Sequence, residues 1–186
     1  MKPKPTQTSS LRINVTRLAR LHFLYVVALI AQILIYDAWN LVTPQAIMQR
    51  WIATMILLAV TGLVWYLSKA KVTGNTAYKL QIFALILTDI AVASFSVYTQ
   101  RGMASRAVAL YAIPIIVSAV LLTRIALFAT AVLCVAAYLA TTVSYFVLNF
   151  NEGYKIELYG EVGFYCISFL ILASLLWIII RSRKNS

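Results

Sequence analysis

Six apolar stretches, each long enough to cross a bilayer as a helix, leave this chain little choice of fold. Crossing about 30 Å of hydrocarbon takes about 20 predominantly apolar residues in a helix. Such runs cover about 18–41, 51–68, 78–98, 106–122, 125–148 and 162–180 of the 186 residues. The composition agrees: 62% of residues are hydrophobic and 11% charged, outside the range of soluble globular domains. The connectors are short and carry helix breakers: Thr43-Pro44, Thr73-Gly74-Asn75, Gly102 and Asn151-Glu152-Gly153. The expectation is an all-α integral membrane protein, a six-transmembrane-helix bundle. Residues 1–17 would form a polar N-terminal tail, 18–182 the membrane domain and 183–186 the C-terminal end.

The charges orient that bundle. Sixteen Lys and Arg against five Asp and Glu give a net charge of +11, which raises the question of nucleic acid. The cations cluster beside apolar spans rather than on an aromatic-interleaved surface, so no nucleic-acid partner is expected and the bilayer is the partner they fit. On one side lie Lys2, Lys4, Arg12, Arg17, Arg20, Lys69, Lys71, Lys79, Arg124, Arg181, Arg183 and Lys184. On the other lie Arg50, Arg101, Arg106 and Lys155, with the acids Asp37, Glu152, Glu157 and Glu161. The positive-inside rule then places both termini in the cytoplasm of a cell whose inner membrane holds the chain. Trp39 and Trp51 would mark the outer boundary, and Trp65, Tyr66 and Trp177 the inner one. The basic start resembles a signal peptide, but Leu21–Tyr36 runs into Asp37, Ala38 and Trp39 rather than a small-x-small cleavage site, so the first span is read as uncleaved.

Asp89, in Leu85-Ile-Leu-Thr-Asp-Ile-Ala-Val-Ala-Ser-Phe95, is the polar residue that this layout explains least. An ionised carboxylate at mid-bilayer is costly, so Asp89 faces the bundle interior or water, or is protonated. At helical spacing it shares a stripe with Ile82 and Leu85 on one side and Ala93, Ser96 and Gln100 on the other. Such a small, polar half-stripe suits close helix packing. Two readings stand: a ligand contact, proton acceptor or packing switch, and a neutral acid hydrogen-bonded across an interface. Gln32, Gln81, Thr54, Thr61, Thr88, Ser94, Ser118, Thr130, Thr141, Thr142 and Ser144 read as packing residues satisfied by backbone carbonyls or neighbouring helices. The single histidine, His22, reads as an interfacial residue, and Pro114 as a kink in the fourth span.

Little else carries chemistry. The chain has no glycine-rich phosphate loop, HExxH motif, catalytic pair of carboxylates or Cys/His cluster, so no catalytic residue and no metal site is expected. Cys134 and Cys166, each inside an apolar run, read as small hydrophobes rather than a redox pair. No internal repeat relates residues 1–98 to 99–186, as a secondary transporter would often show.

From Asp89 onward the order of residues resembles a known family. In Asp89-Ile-Ala-Val-Ala-Ser-Phe-Ser-Val-Tyr98-Thr-Gln-Arg101-Gly102-Met-Ala-Ser105-Arg106, then Leu110-Tyr111-Ala-Ile-Pro114 and Thr123-Arg124, it is similar to the six-span N-terminal sensor region of bacterial histidine kinases. That family typically has an aspartate in an apolar third span, a glycine-containing outer turn, a Leu-Tyr-x-x-Pro fourth span and a tight inner turn. The resemblance implies a membrane sensor module of a two-component system, with Asp89, Ser96, Gly102, Ser105, Tyr111 and Pro114 around its sensing site and dimerisation through the sixth span. Arg101-Gly102 stands where the family has Gly-Gly, and Arg106 where a proline follows the serine. Quinone-responsive members carry Gly-Gly and Asn-Pro-Phe at that turn, so the resemblance implies no cofactor, a lipophilic ligand such as a quinone being the class to consider. The residues after Ile180 hold no phosphoaccepting histidine or ATP-binding motif. The expectation is therefore a non-enzymatic input module acting through a kinase domain or partner protein. The alternative is a small transporter or proton-conducting membrane subunit.

Overall fold

The structure, a computed structural model, describes residues 7–70, 74–100, 105–121, 123–149 and 156–185. All regular elements among them are helical: α1 (Gln7–Ala38), α2 (Pro44–Lys69), α3 (Asn75–Thr99), α4 (Ala112–Ser118), α5 (Arg124–Leu148) and α6 (Ile156–Asn185). Short 3₁₀ segments, Arg106–Tyr111 and Ala119–Leu121, flank α4. Five of the helices, α1, α2, α3, α5 and α6, are long and apolar enough to cross a membrane. The fourth expected span is a shorter apolar stretch, Arg106–Leu121, of mixed 3₁₀ and α winding. The chain divides into two compact units, Met1–Thr88 and Asp89–Ser186.

In the first unit α1 and α2 form an antiparallel hairpin. At its closed end α1 stops at Ala38, and Asn40 takes a left-handed conformation (φ 50°), which asparagine tolerates better than most residues. Thr43 then caps α2, its Oγ1 accepting from Ala46 N–H at 3.4 Å, and Pro44 occupies the first turn, where its missing N–H costs no helical hydrogen bond. At the open end, Arg12 Nε donates to the Ser68 carbonyl at 3.1 Å and Nη2 to the Lys69 carbonyl at 3.4 Å, supplying donors to the last turn of α2. Thr16 Oγ1 donates to Ser68 Oγ at 3.1 Å, and the Lys69 ammonium sits 3.6 Å from the Trp65 ring centroid. These contacts explain why α1 includes residues of the polar tail expected over 1–17: Leu11 and Val15 are buried, and Arg12 has carbonyls to serve. His22 is buried, with Nδ1 3.1 Å from the Leu18 carbonyl and its ring edge-on to Tyr25.

The second unit packs α4 against α5 and α6, and α5 against α6. Ser105 starts the 3₁₀ segment by accepting from Ala107 N–H at 3.1 Å, and Thr123 caps α5 by accepting from Ala126 N–H at 3.3 Å. Pro114 lies at the third position of α4, in the first turn, where an N–H has no intrahelical partner. In place of the expected kink in a longer helix, the winding changes, 3₁₀ before Ala112 and α after it. Half of the most apolar window of α3 is buried, a larger share than in any other long helix.

Candidate functional site

The polar residues of the spans sort into two groups. Most are satisfied locally, as expected: Thr88, Ser118, Thr130, Thr141 and Thr142 each donate to a carbonyl three or four residues earlier. Gln32 Nε2 donates to Tyr36 Oη at 3.0 Å. Thr61 and Gln81 depart from that expectation. The Thr61 hydroxyl and Gln81 Oε1 are buried and accept or donate no hydrogen bond.

The second group converges in the second unit. Asp89 is 1% exposed on α3, so it is enclosed by protein rather than facing water. Cys134 is buried on α5. Just beyond Asp89 on α3, Ser94 Oγ and Tyr111 Oη lie 2.8 Å apart and share a hydrogen bond. Tyr111 is fully buried. The Tyr111 ring meets Tyr138 of α5 at 5.9 Å and Phe169 of α6 at 5.7 Å between centroids. Tyr138 in turn meets Tyr165 at 6.2 Å and Phe169 at 6.3 Å, both edge-on, an arrangement aromatic quadrupoles favour. Tyr98 and Tyr145 extend the aromatic packing between α3 and α5 at 5.8 Å.

One group in this cluster is unsatisfied. Tyr138 is fully buried, yet its hydroxyl has no hydrogen-bond partner. A buried, unpaired hydroxyl costs about 1–3 kcal/mol. Native structures hold few such groups, and they concentrate where a further partner or a function is involved. Tyr165, against which Tyr138 packs, also lines an open depression with Gly160, Glu161 and Phe164 at the start of α6. The cluster thus runs from that depression through Tyr165, Tyr138 and Tyr111 to Ser94, one helical stretch from Asp89.

The residues expected around a sensing site are distributed unevenly. Asp89, Tyr111 and Pro114 are buried within this unit, Tyr111 at its centre. Ser105 is buried too, but its side chain is engaged as a helix cap. Ser96 is half-buried and offers its carbonyl to Thr99 Oγ1 at 3.3 Å. Gly102 lies outside the described residues. Ser94, Tyr138 and Phe169 were not nominated from the sequence. Ser94 lies off the Asp89 stripe, and tyrosine in an apolar helix reads as an ordinary aromatic. Cys134 and Cys166 form no disulfide. Among the described residues no group of three or more His, Cys, Asp or Glu side chains could hold a metal ion. No protein-family model matches the chain, and no curated protein or solved structure matches it.

Proposed function

We propose that this chain is a membrane-embedded, non-enzymatic sensor or signalling module, similar in role to the input region of a two-component histidine kinase, with a kinase domain or partner protein reading its state. The observation that carries the reading is the buried Asp89 beside a cross-helix cluster of hydroxyls and rings from Ser94, Tyr111, Tyr138, Tyr165 and Phe169. A carboxyl group held at that depth changes its interactions strongly when it gains or loses a proton or a ligand. The neighbouring hydroxyls can each accept or donate, so the cluster has two hydrogen-bonding arrangements for a cue to choose between.

The reading includes six crossings with both termini in the cytoplasm of a bacterial inner membrane. The short Arg106–Leu121 stretch can serve as the remaining crossing because of its winding. With six and three residues in 3₁₀ form and seven in α form, its length is about 28 Å at rises of roughly 2.0 and 1.5 Å per residue. A purely α-helical segment of that size would reach only about 24 Å, short of about 30 Å of hydrocarbon. An even number of crossings fits the excess of Lys and Arg near both termini. Dimerisation through α6 fits its being the long helix with the smallest buried share of its apolar window.

The test is Asp89→Asn, which keeps hydrogen bonding and removes titration. In reconstituted full-length chain, spin-label distances between α3 and α6 should shift with pH in the native protein and stay fixed in the variant. A shift of equal size in both would reject Asp89 as the switch. The second reading, a small transporter, draws on the same buried Asp89. It predicts ion or solute flux across vesicles that Asp89→Asn abolishes, whereas the sensor reading predicts none.

A further inference from the structure

We propose that Arg17 and Arg20 of α1 hold the phosphate of an anionic diacyl phospholipid on the outward face of the hairpin, near its open end. Residues three, four and seven apart share a face of a helix. On α1, Ile13, Arg17, Arg20, Leu24 and Val27 form one exposed face, while Val15 and Val26 are buried on the opposite side. Arg12, turned toward α2, donates to the Ser68 and Lys69 carbonyls. Arg17 and Arg20 differ from it: both are exposed, and among the described residues no hydrogen bond or ion pair engages either one. Neither can shed its charge by losing a proton, and Asp37 lies at the far end of the same helix. Two planar guanidinium forks one helical turn apart on an open surface can close on a single phosphodiester, whose oxygens accept from both.

Depth and the surface below the arginines select a lipid. The Phe23 ring packs edge-on against Trp65 of α2 at 6.1 Å between centroids, and indoles prefer headgroup depth. At a helical rise of 1.5 Å per residue, Arg20 and Arg17 lie about 4.5 and 9 Å from Phe23 toward the open end. The Lys69 ammonium, over Trp65, belongs to that end as well. In the other direction the same face continues as Leu24 and Val27, 67% and 60% exposed. A free phosphate or an acidic peptide would engage the arginines and leave this apolar surface bare, whereas a phospholipid covers both with one molecule. A cluster of cations beside a span attracts anionic headgroups and repels the ammonium of a zwitterionic one, so the preferred lipid carries a net negative charge. The site lies in the first unit, apart from Asp89, and its test leaves the sensor reading untouched.

The experiment reconstitutes the full chain in vesicles of phosphatidylcholine containing a minor share of phosphatidylglycerol with the same acyl chains. Lipids retained after mild detergent extraction are counted by native mass spectrometry. The native chain should retain phosphatidylglycerol in preference to phosphatidylcholine. Replacing both arginines, Arg17→Gln with Arg20→Gln, should lower that preference roughly tenfold, the scale of a lost charge-assisted hydrogen-bonded contact. Arg17→Lys with Arg20→Lys keeps the charge without the planar forks; it should fall between the two and serves if the glutamine pair does not fold. Lys79→Gln with Arg124→Gln removes equal charge from exposed cations elsewhere and should leave the preference near native. Excess glycerophosphoglycerol, the same headgroup without acyl chains, should leave the lipid in place. Displacement by it would overturn a lipid as the occupant. Equal retention by the native chain and both arginine variants, or an equal loss in the Lys79 and Arg124 control, would overturn the site.

Discussion

The α1–α2 hairpin and the second unit meet the same apolar solvent with opposite placements of their polar groups. In the hairpin the strong interactions sit at the ends: Arg12 on the Ser68 and Lys69 carbonyls, Lys69 over Trp65, Arg50 over Tyr36. In the second unit they sit along the helices, where Asp89, Tyr111 and Tyr138 are buried and Ser94, half-buried, shares a hydrogen bond with Tyr111. Polar groups at helix ends fix where a helix starts and stops and cost little, because headgroups and water are near. Polar groups at depth must find one another, and so they fix which faces of the helices meet. Under the proposed sensor reading, the hairpin would be the anchored part of the molecule and the second unit the part whose packing a cue changes.

The comparison can be broken most forcefully at Tyr138. Removing its ring with Tyr138→Ala should lower stability by about 3–5 kcal/mol, the range for emptying an aromatic core site. Removing only the unpartnered hydroxyl with Tyr138→Phe should be neutral or stabilising by up to about 1 kcal/mol. Both are read from unfolding in mixed micelles. A phenylalanine variant destabilised as much as the alanine variant would mean that the hydroxyl is satisfied and the second unit stores no unmet polar group.

At the hairpin, Arg12→Ala should lower stability by about 1–2 kcal/mol, since two hydrogen bonds from a charged donor to the α2 C-terminus are lost in a partly exposed setting. Hydrogen exchange at the amides of the last α2 turn should rise locally while α5 and α6 remain protected. Exchange rising equally in both regions would erase the distinction between anchored ends and a deep cluster.

The smallest effect is expected for the Ser94–Tyr111 hydrogen bond. Buried interhelical bonds in membrane proteins average about 0.6 kcal/mol and reach about 1.7. A double-mutant cycle of Ser94→Ala and Tyr111→Phe should give a coupling in that range. A coupling indistinguishable from zero would detach α3 from the cluster and weaken the link between Asp89 and the rings.

Much of the fold is legible along the chain because length and composition alone decide whether a segment can reside in hydrocarbon. The long apolar runs around Val26, Leu57, Ile86, Cys134 and Phe169 all became helices. Asp89 was also legible, since one carboxyl in an apolar run has to be sheltered. Pro114 was legible as a lost donor, but only the local winding determines that it opens α4 instead of bending a longer helix. Ser94 and Tyr138 were not legible as partners of a site, and Arg50 read as one more cation beside a span. Nothing in its neighbours along the chain indicates that its Nε and Nη1 are enclosed.

The sequence by itself determined that the chain is helical and suited to a membrane, where its apolar segments lie and how its charges divide between their ends. The tertiary structure decided the rotation of each helix about its axis and hence the company each polar group keeps. On α3, Leu80, Phe83 and Leu87 are exposed while Ile82, Leu85 and Ile86 are buried, though the two sets are equally apolar. In water the difference between core and surface would be written in the residue pattern. In a bilayer the lipid is as apolar as the protein interior, so the facing of a helix is settled by packing and by the few hydrogen bonds it makes with its neighbours.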